Sequence, residues 1–224
     1  MKQRNAFTLL ELIVIVVLIA ILVAVAAMRY EKPDELREAA QQILRHIRYT
    51  QHLAMQENKF DPQDARYLAN PGQDGTKKGM FFRERWHIRF YSNSGTYYYA
   101  ITSDRDREGN IDVTTHIEPA INSQTKLILY RASSDDAQYD PKMNLTLSYS
   151  IASLASTCNR SPTITELFFD HYGRPYTDVS ASTTEPYMNL LTTDCNLTLT
   201  HSSGRRAIIT IKPETGYSFI SYID

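Results

Sequence analysis

Residues 4–28 read RNAFTLLELIVIVVLIAILVAVAAM, and what this run can be decides how the rest of the chain is placed. From Phe7 to Met28 the only charged residue is Glu11. As a helix rising about 1.5 Å per residue, the run is long enough to cross a hydrocarbon core of roughly 30 Å. A carboxylate inside such a span costs roughly 2.5 to 3.5 kcal/mol on insertion scales, so one kept there faces a partner or has a task. Glu11 is therefore a candidate functional residue. Simple secretion is the competing reading, because Lys2 and Arg4 form a basic leader and Ala24-Val25-Ala26 offers a signal-peptidase pattern. Against it, the apolar run is longer than an ordinary signal-peptide core. Lys2 and Arg4 precede the run, whereas Arg29 and Lys32 after it are mixed with Glu31, Asp34 and Glu35. The excess of basic residues thus places the short end in the cytoplasm and the bulk of the chain across the membrane.

A short basic leader, the small Ala6, then Phe7-Thr8-Leu9-Leu10-Glu11-Leu12 and an apolar helix together resemble the class III leader of type IV pilins and type II secretion pseudopilins. The resemblance implies a cut between Ala6 and Phe7 by a prepilin peptidase and methylation of the new Phe7 amine. It implies a helix held in the lipid of the bacterial inner membrane, with the head periplasmic. The subunit would then join other pilins or pseudopilins through an inner-membrane assembly platform. Ala6 departs from the Gly more common in the family at that place. The freed Phe7 amine would be positive near neutral pH, with Glu11 four residues along the same helical face. In the family the matching Glu meets the terminal amine of a neighbouring subunit, and the cost of an unpaired ion in lipid would then favour correct register.

The chain of 224 residues has room for one anchor and one globular domain of conventional size. We expect a leader at 1–6, a transmembrane and filament-core helix at 7–28, its amphipathic continuation at 29–58, and a β-rich periplasmic or extracellular head at 59–224. A formal charge of −1 provides no strong field for nucleic acid or anionic lipid. In Asp34 to Glu57 the residues Leu36, Ala40, Ile43 and Ile47 recur at helical spacing, continued by Leu53 and Ala54, while Arg37, Arg45 and Gln56 fall on the wetter side. DPQDARYLANPGQDGTKKG at 61–79 reads as a long exposed loop.

Arg85 to Tyr91 and Thr96 to Thr102 flank Ser92-Asn93-Ser94-Gly95 as a hairpin, with Tyr97 and Tyr99 on one face for cross-strand packing rather than ligand stacking. Further strands are expected at Lys126 to Tyr130, Leu145 to Ile151, Thr163 to Phe169, Leu197 to Thr200, Ala207 to Ile211 and Tyr217 to Tyr222. Helix first and strands afterwards give an α+β class, a long N-terminal pilin-like helix packed on a β-rich head.

The head carries a second resemblance, to the GspH/FimT group of minor pseudopilins and minor pilins. It rests on Ala39-Ala40 to Asn58, with Arg48-Tyr49, Gln51 and Ala54, on Phe169-Asp170-His171-Tyr172-Gly173-Arg174-Pro175, and on Pro213-Glu214-Thr215-Gly216. The resemblance implies a structural subunit for initiation or tip assembly of a pilus or secretion pseudopilus. The Asp170 stretch also has a purely structural reading, with Gly173 in a turn and Arg174 pinning a loop or a carboxylate.

Cys158 and Cys195 are an even pair in a chain whose bulk faces an oxidising compartment. They read as a disulfide, with two separately buried thiols as the alternative. In Ser103 to Asp112 the oxygen-bearing Asp104, Asp106, Glu108, Asn110 and Asp112 alternate around Gly109 as in a calcium loop, but Thr115 stands where a bidentate Glu belongs, with Glu118 nearby. Gly204-Arg205-Arg206 is suggestive of the arginine loop by which some FimT-like minor pilins bind DNA. Ala207 and the slightly acidic chain weigh against DNA as a partner. No catalytic motif is recognisable, so we expect a structural protein, not an enzyme, that requires no cofactor, with calcium as the one candidate ion.

Overall fold

The computed structural model describes residues 8–28, 34–65, 75–108, 118–130, 137–158, 165–177 and 185–224. The chain divides into two compact units, residues 1–34 and 35–224. In the first, Thr8 precedes helix α1 (Leu9–Met28), and its Oγ1 accepts the Glu11 backbone N–H at 3.3 Å. Thr8 acts as a helix cap, and Thr-x-x-Glu is the sequence pattern of a capping box.

The second unit begins with helix α2 (Glu35–Gln56). Its buried face is Leu36, Ala39, Ala40, Ile43, Ile47 and Ala54, the stripe that a period of 3.6 residues lays along one side. Each fully buried Leu or Ile there contributes roughly 1.5 to 3 kcal/mol relative to an exposed one. The face packs on two four-stranded antiparallel sheets. The first sheet has the order β2-β1-β4-β5, from β1 (His87–Asn93), β2 (Thr96–Thr102), β4 (Thr165–Phe169) and β5 (Pro175–Tyr176). The second has the order β3-β6-β7-β8, from β3 (Ile151–Ser156), β6 (Cys195–His201), β7 (Arg206–Ile211) and β8 (Ser218–Ile223). The α+β class is thus the one the pattern of elements gives.

The first hairpin closes where expected. Ser94 and Gly95 both take positive φ, at 50° and 80°, as a two-residue turn matching strand twist requires. The register sets Phe90 opposite Tyr99, their rings stacked at 5.5 Å, so Tyr99 packs in the core and is not offered to a ligand. Two expected strands fail. Lys126 to Tyr130 forms only isolated bridges, Ile128 with Ile121 and with Tyr139. Leu145 to Ile151 divides into a short helix α3 (Leu145–Tyr149) and the start of β3. The Asn144 side chain caps α3 by accepting the Leu147 N–H, and Ser150 ends it in a left-handed conformation. Within the loop at 61–79, Asp64 is buried rather than exposed.

A polar network crosses the interior between α2, β2 and α3. The Gln42 amide donates to the Tyr99 hydroxyl and to the Lys142 carbonyl, while the Tyr149 hydroxyl donates to Gln42 Oε1. With its oxygen already accepting from Gln42, the Tyr99 hydroxyl gives its proton to Nδ1 of His46 at 2.7 Å. That role requires a neutral imidazole, and burial lowers the His46 pKa to about 4, opposed by the negative charge of Asp140 and assisted by the positive charge of Arg45. His87, buried between the Thr102 hydroxyl and the Arg85 carbonyl, is likewise pulled down to about 4 by burial.

Candidate functional site

In the first unit every side chain from Thr8 to Ala24 is exposed. They include Leu9, Leu10, Leu12, Ile13, Ile19 and Leu22, each more than half exposed. A helix apolar on all sides has no wet face to turn outward, so its stable surroundings are lipid or other apolar helices. Its one charge, Glu11, sits in the first turn, where a carboxylate also favours the helix dipole. Among the described residues no helix is long and apolar enough to cross a membrane. The span expected from Phe7 to Met28 begins before the described residues, and its side chains from Val25 onward lie outside them, as do Ala6 and Phe7.

The acidic loop is rearranged relative to expectation. Asp104, Asp106 and Glu118 bring one carboxylate oxygen each within 4.8 Å of one another. Glu108 does not join them; its carboxylate meets Lys77 at 3.1 Å, and its backbone N–H donates to Oδ1 of both Asp104 and Asp106. Glu118 Oε1 accepts the Arg105 N–H at 2.9 Å. Among the described residues these carboxylates thus accept backbone N–H groups of their own loop. Asn110 and Asp112 lie outside the described residues. Sequence reading missed the organiser of this region. Arg107, fully buried and at a positive φ of 62°, meets Asp64 at 2.8 Å and Glu84 at 2.6 Å.

Arg205 and Arg206 are exposed at the β6–β7 turn. Arg205 Nε donates to the Asp224 carbonyl and the Arg206 N–H to Asp224 Oδ1. That N–H and the Tyr222 hydroxyl hold the Asp224 carboxyl below its ordinary range, so an anion stands beside the two cations. Cys158 and Cys195 form a disulfide with Cα atoms 5.1 Å apart. It joins the ends of the paired strands β3 and β6, and thereby closes the excursion that supplies β4 and β5 to the other sheet.

The two short motifs of the head meet in space. Asp170 Oδ1 accepts the backbone N–H groups of Tyr172 and Arg174, and Oδ2 accepts Arg174 Nε and the Tyr176 hydroxyl. Together these donors outweigh burial and hold the carboxyl below its ordinary pKa. From α2, the Gln51 amide donates to the carbonyl of Gly173 and to that of Thr215, each at 2.8 Å. A Cβ on Gly216, where φ is +64°, would lie 2.7 Å from the Gly173 carbonyl oxygen and 2.7 Å from Gln51 Nε2. The turn after β4 and the turn before β8 are therefore clamped on one helix residue, a structural task for both. Neither motif alone signals this, since the residue that joins them, the half-buried Gln51, lies on a distant helix.

Residues 1–27 match the family model described as the prokaryotic N-terminal methylation motif. No curated protein and no solved structure matches the chain.

Proposed function

We propose, on the premise that residues 1–27 give this chain the N-terminal signal of type IV pilins and pseudopilins, that it is a minor subunit for initiation or tip assembly of a pilus or a type II secretion pseudopilus. The observation that carries the reading is α1, apolar on every side, exposed throughout its described side chains, and charged only at Glu11. Such a helix would be stored in lipid and then buried among similar helices, and the match over residues 1–27 supports this reading. Prepilin peptidase would free the Phe7 amine, and the Glu11 carboxylate would seat the subunit by pairing with a neighbour's amine in a medium where lone charges are costly. The α+β head stays on the far side of the membrane and makes the partner contacts. Turnover is not part of this role, and the arrangement of Arg205 and Arg206 beside Asp224 does not favour DNA as the partner.

The test is Glu11→Gln, which keeps a capping-box side chain three residues after Thr8 and removes only the charge. With processing normal, the variant should fall at least about tenfold in the sheared fibre fraction, the consequence of losing roughly 1.4 kcal/mol or more of pairing. Unchanged incorporation would remove the seating role.

A further inference from the structure

Arg85 differs from the other buried charges of the head. It follows a 3-10 turn (Phe81–Glu84), leads into β1, and is 4 % exposed. Arg107 has Asp64 and Glu84, and Arg174 has Asp170. Among the described residues no hydrogen bond or contact ion pair reaches the Arg85 guanidinium, which lies over the Tyr176 ring at 4.1 Å. Arginine keeps its charge in proteins, and a buried charge without a bonded counter-ion is costly by several kcal/mol. Asp170 lines the same cleft, but both its oxygens are already occupied by Arg174, Tyr176 and backbone donors. The other buried cation there, Lys59, is paired with Glu57 at 2.8 Å. Asp170 acts on Arg85 through its charge alone, so the guanidinium in this cleft has no hydrogen-bonded counter-ion among the described residues.

Its size restricts what can answer that charge. Walled by Lys59, Phe60, Phe81, Arg85 and His171, the cleft holds about 240 Å³ counted out to solvent, but the centre of a water-sized group can occupy only about 10 Å³ of it. One anionic oxygen enters; a sugar ring or a nucleobase does not. Of the lining residues, Phe60 is 41 % exposed and has His171 against it at 5.2 Å, and His171 packs in turn at 4.0 Å on Tyr172, which is 69 % exposed. Exposed aromatics around a buried arginine are the composition of protein contact sites.

We propose that Arg85 receives one carboxylate of a neighbouring protein, an Asp or Glu side chain whose tip enters the cleft while its apolar stem lies on Phe60 and Tyr172. The site needs an acidic partner and goes beyond the filament reading, standing whether or not the chain enters a fibre. The test uses the full chain in neutral detergent micelles, followed by NMR of the Arg Nε–H and backbone amide signals. The probes are the blocked tripeptide Ac-Ala-Glu-Ala-NH2, its Gln counterpart, sodium acetate, and sodium chloride at matched ionic strength. The Glu peptide should shift Arg85 Nε–H and the amides of Lys59, Phe60 and His171 saturably, at least about tenfold more tightly than the Gln peptide or acetate. Arg85→Gln should abolish the response; should that variant lose its fold, Arg85→Lys, which keeps the charge without the fork, should weaken it. Acetate binding as tightly as the Glu peptide would overturn the protein source. A Gln peptide that binds equally, or an Arg85 signal that never moves, would overturn the site.

Discussion

Gly216→Ala isolates the clamp between the two turns. The added methyl would stand 2.7 Å from the Gly173 carbonyl oxygen, 2.7 Å from Gln51 Nε2 and 3.0 Å from a Phe169 ring carbon. The φ of +64° costs an alanine about 1 kcal/mol. Gln51 can swing aside, but only by giving up its bonds to Gly173 and Thr215, each worth about 1 kcal/mol net. The Gly173 carbonyl is backbone and can yield only by moving its turn. The sum is about 3 kcal/mol, or a melting temperature lower by roughly 6 to 12 °C for a domain of this size. Gly204→Ala is the control, because its φ is +89° with nothing within 4 Å of a new Cβ. It should show only the conformational cost of about 1 kcal/mol. Thermal and urea unfolding of both variants decide between the readings, and in a Gln51→Ala background the cost of Gly216→Ala should shrink by about 1 to 2 kcal/mol. If the two glycine variants are equally destabilised, the close approach is not why residue 216 is glycine.

Three further outcomes follow from the same structure. The pKa values of His46 and His87 are depressed to about 4, so the unfolded chain binds more protons below the ordinary value. Stability should be full above about pH 6.5 and fall as pH drops towards 4, by about 3 kcal/mol for His87 and less for the half-buried His46. Melting curves from pH 7.5 to 4.5 check this, and a flat profile would contradict it. The disulfide closes a separation of 37 residues, so Cys158→Ser with Cys195→Ser should cost about 4 kcal/mol in the chain-entropy account; a melting temperature within about 2 °C of the parent would refute that. Arg107→Met leaves Asp64 buried without its cation and should cost about 3 to 5 kcal/mol, whereas Asp64→Asn with Arg107→Met should recover part of that loss in the same denaturation assay.

The elements legible in the sequence were those whose period alone decides their state. The α2 stripe, the 87–102 hairpin and the β6–β7 pair follow from spacing and turn residues, and α1 follows from a run with one charge. What escaped depended on partners distant in sequence. Residues 145–149 look extended until Asn144 is seen to cap them. Asp64 reads as loop polarity because its cation is Arg107, 43 residues away. Glu118 comes near Asp104 and Asp106 from beyond the loop, while Glu108 meets Lys77, 31 residues back in the chain. Gln51 belongs to the helix stretch that carries the head's resemblance, but its spacing does not say that it ties the two short motifs together.

The most direct test of the central claim is the mass of the N-terminal peptide of the membrane-associated protein. A chain beginning at Phe7 and carrying one extra methyl group on its amine is what the account predicts. A mature chain beginning at Ala27, cut after the Ala24-Val25-Ala26 stretch and free of the apolar helix, would contradict it.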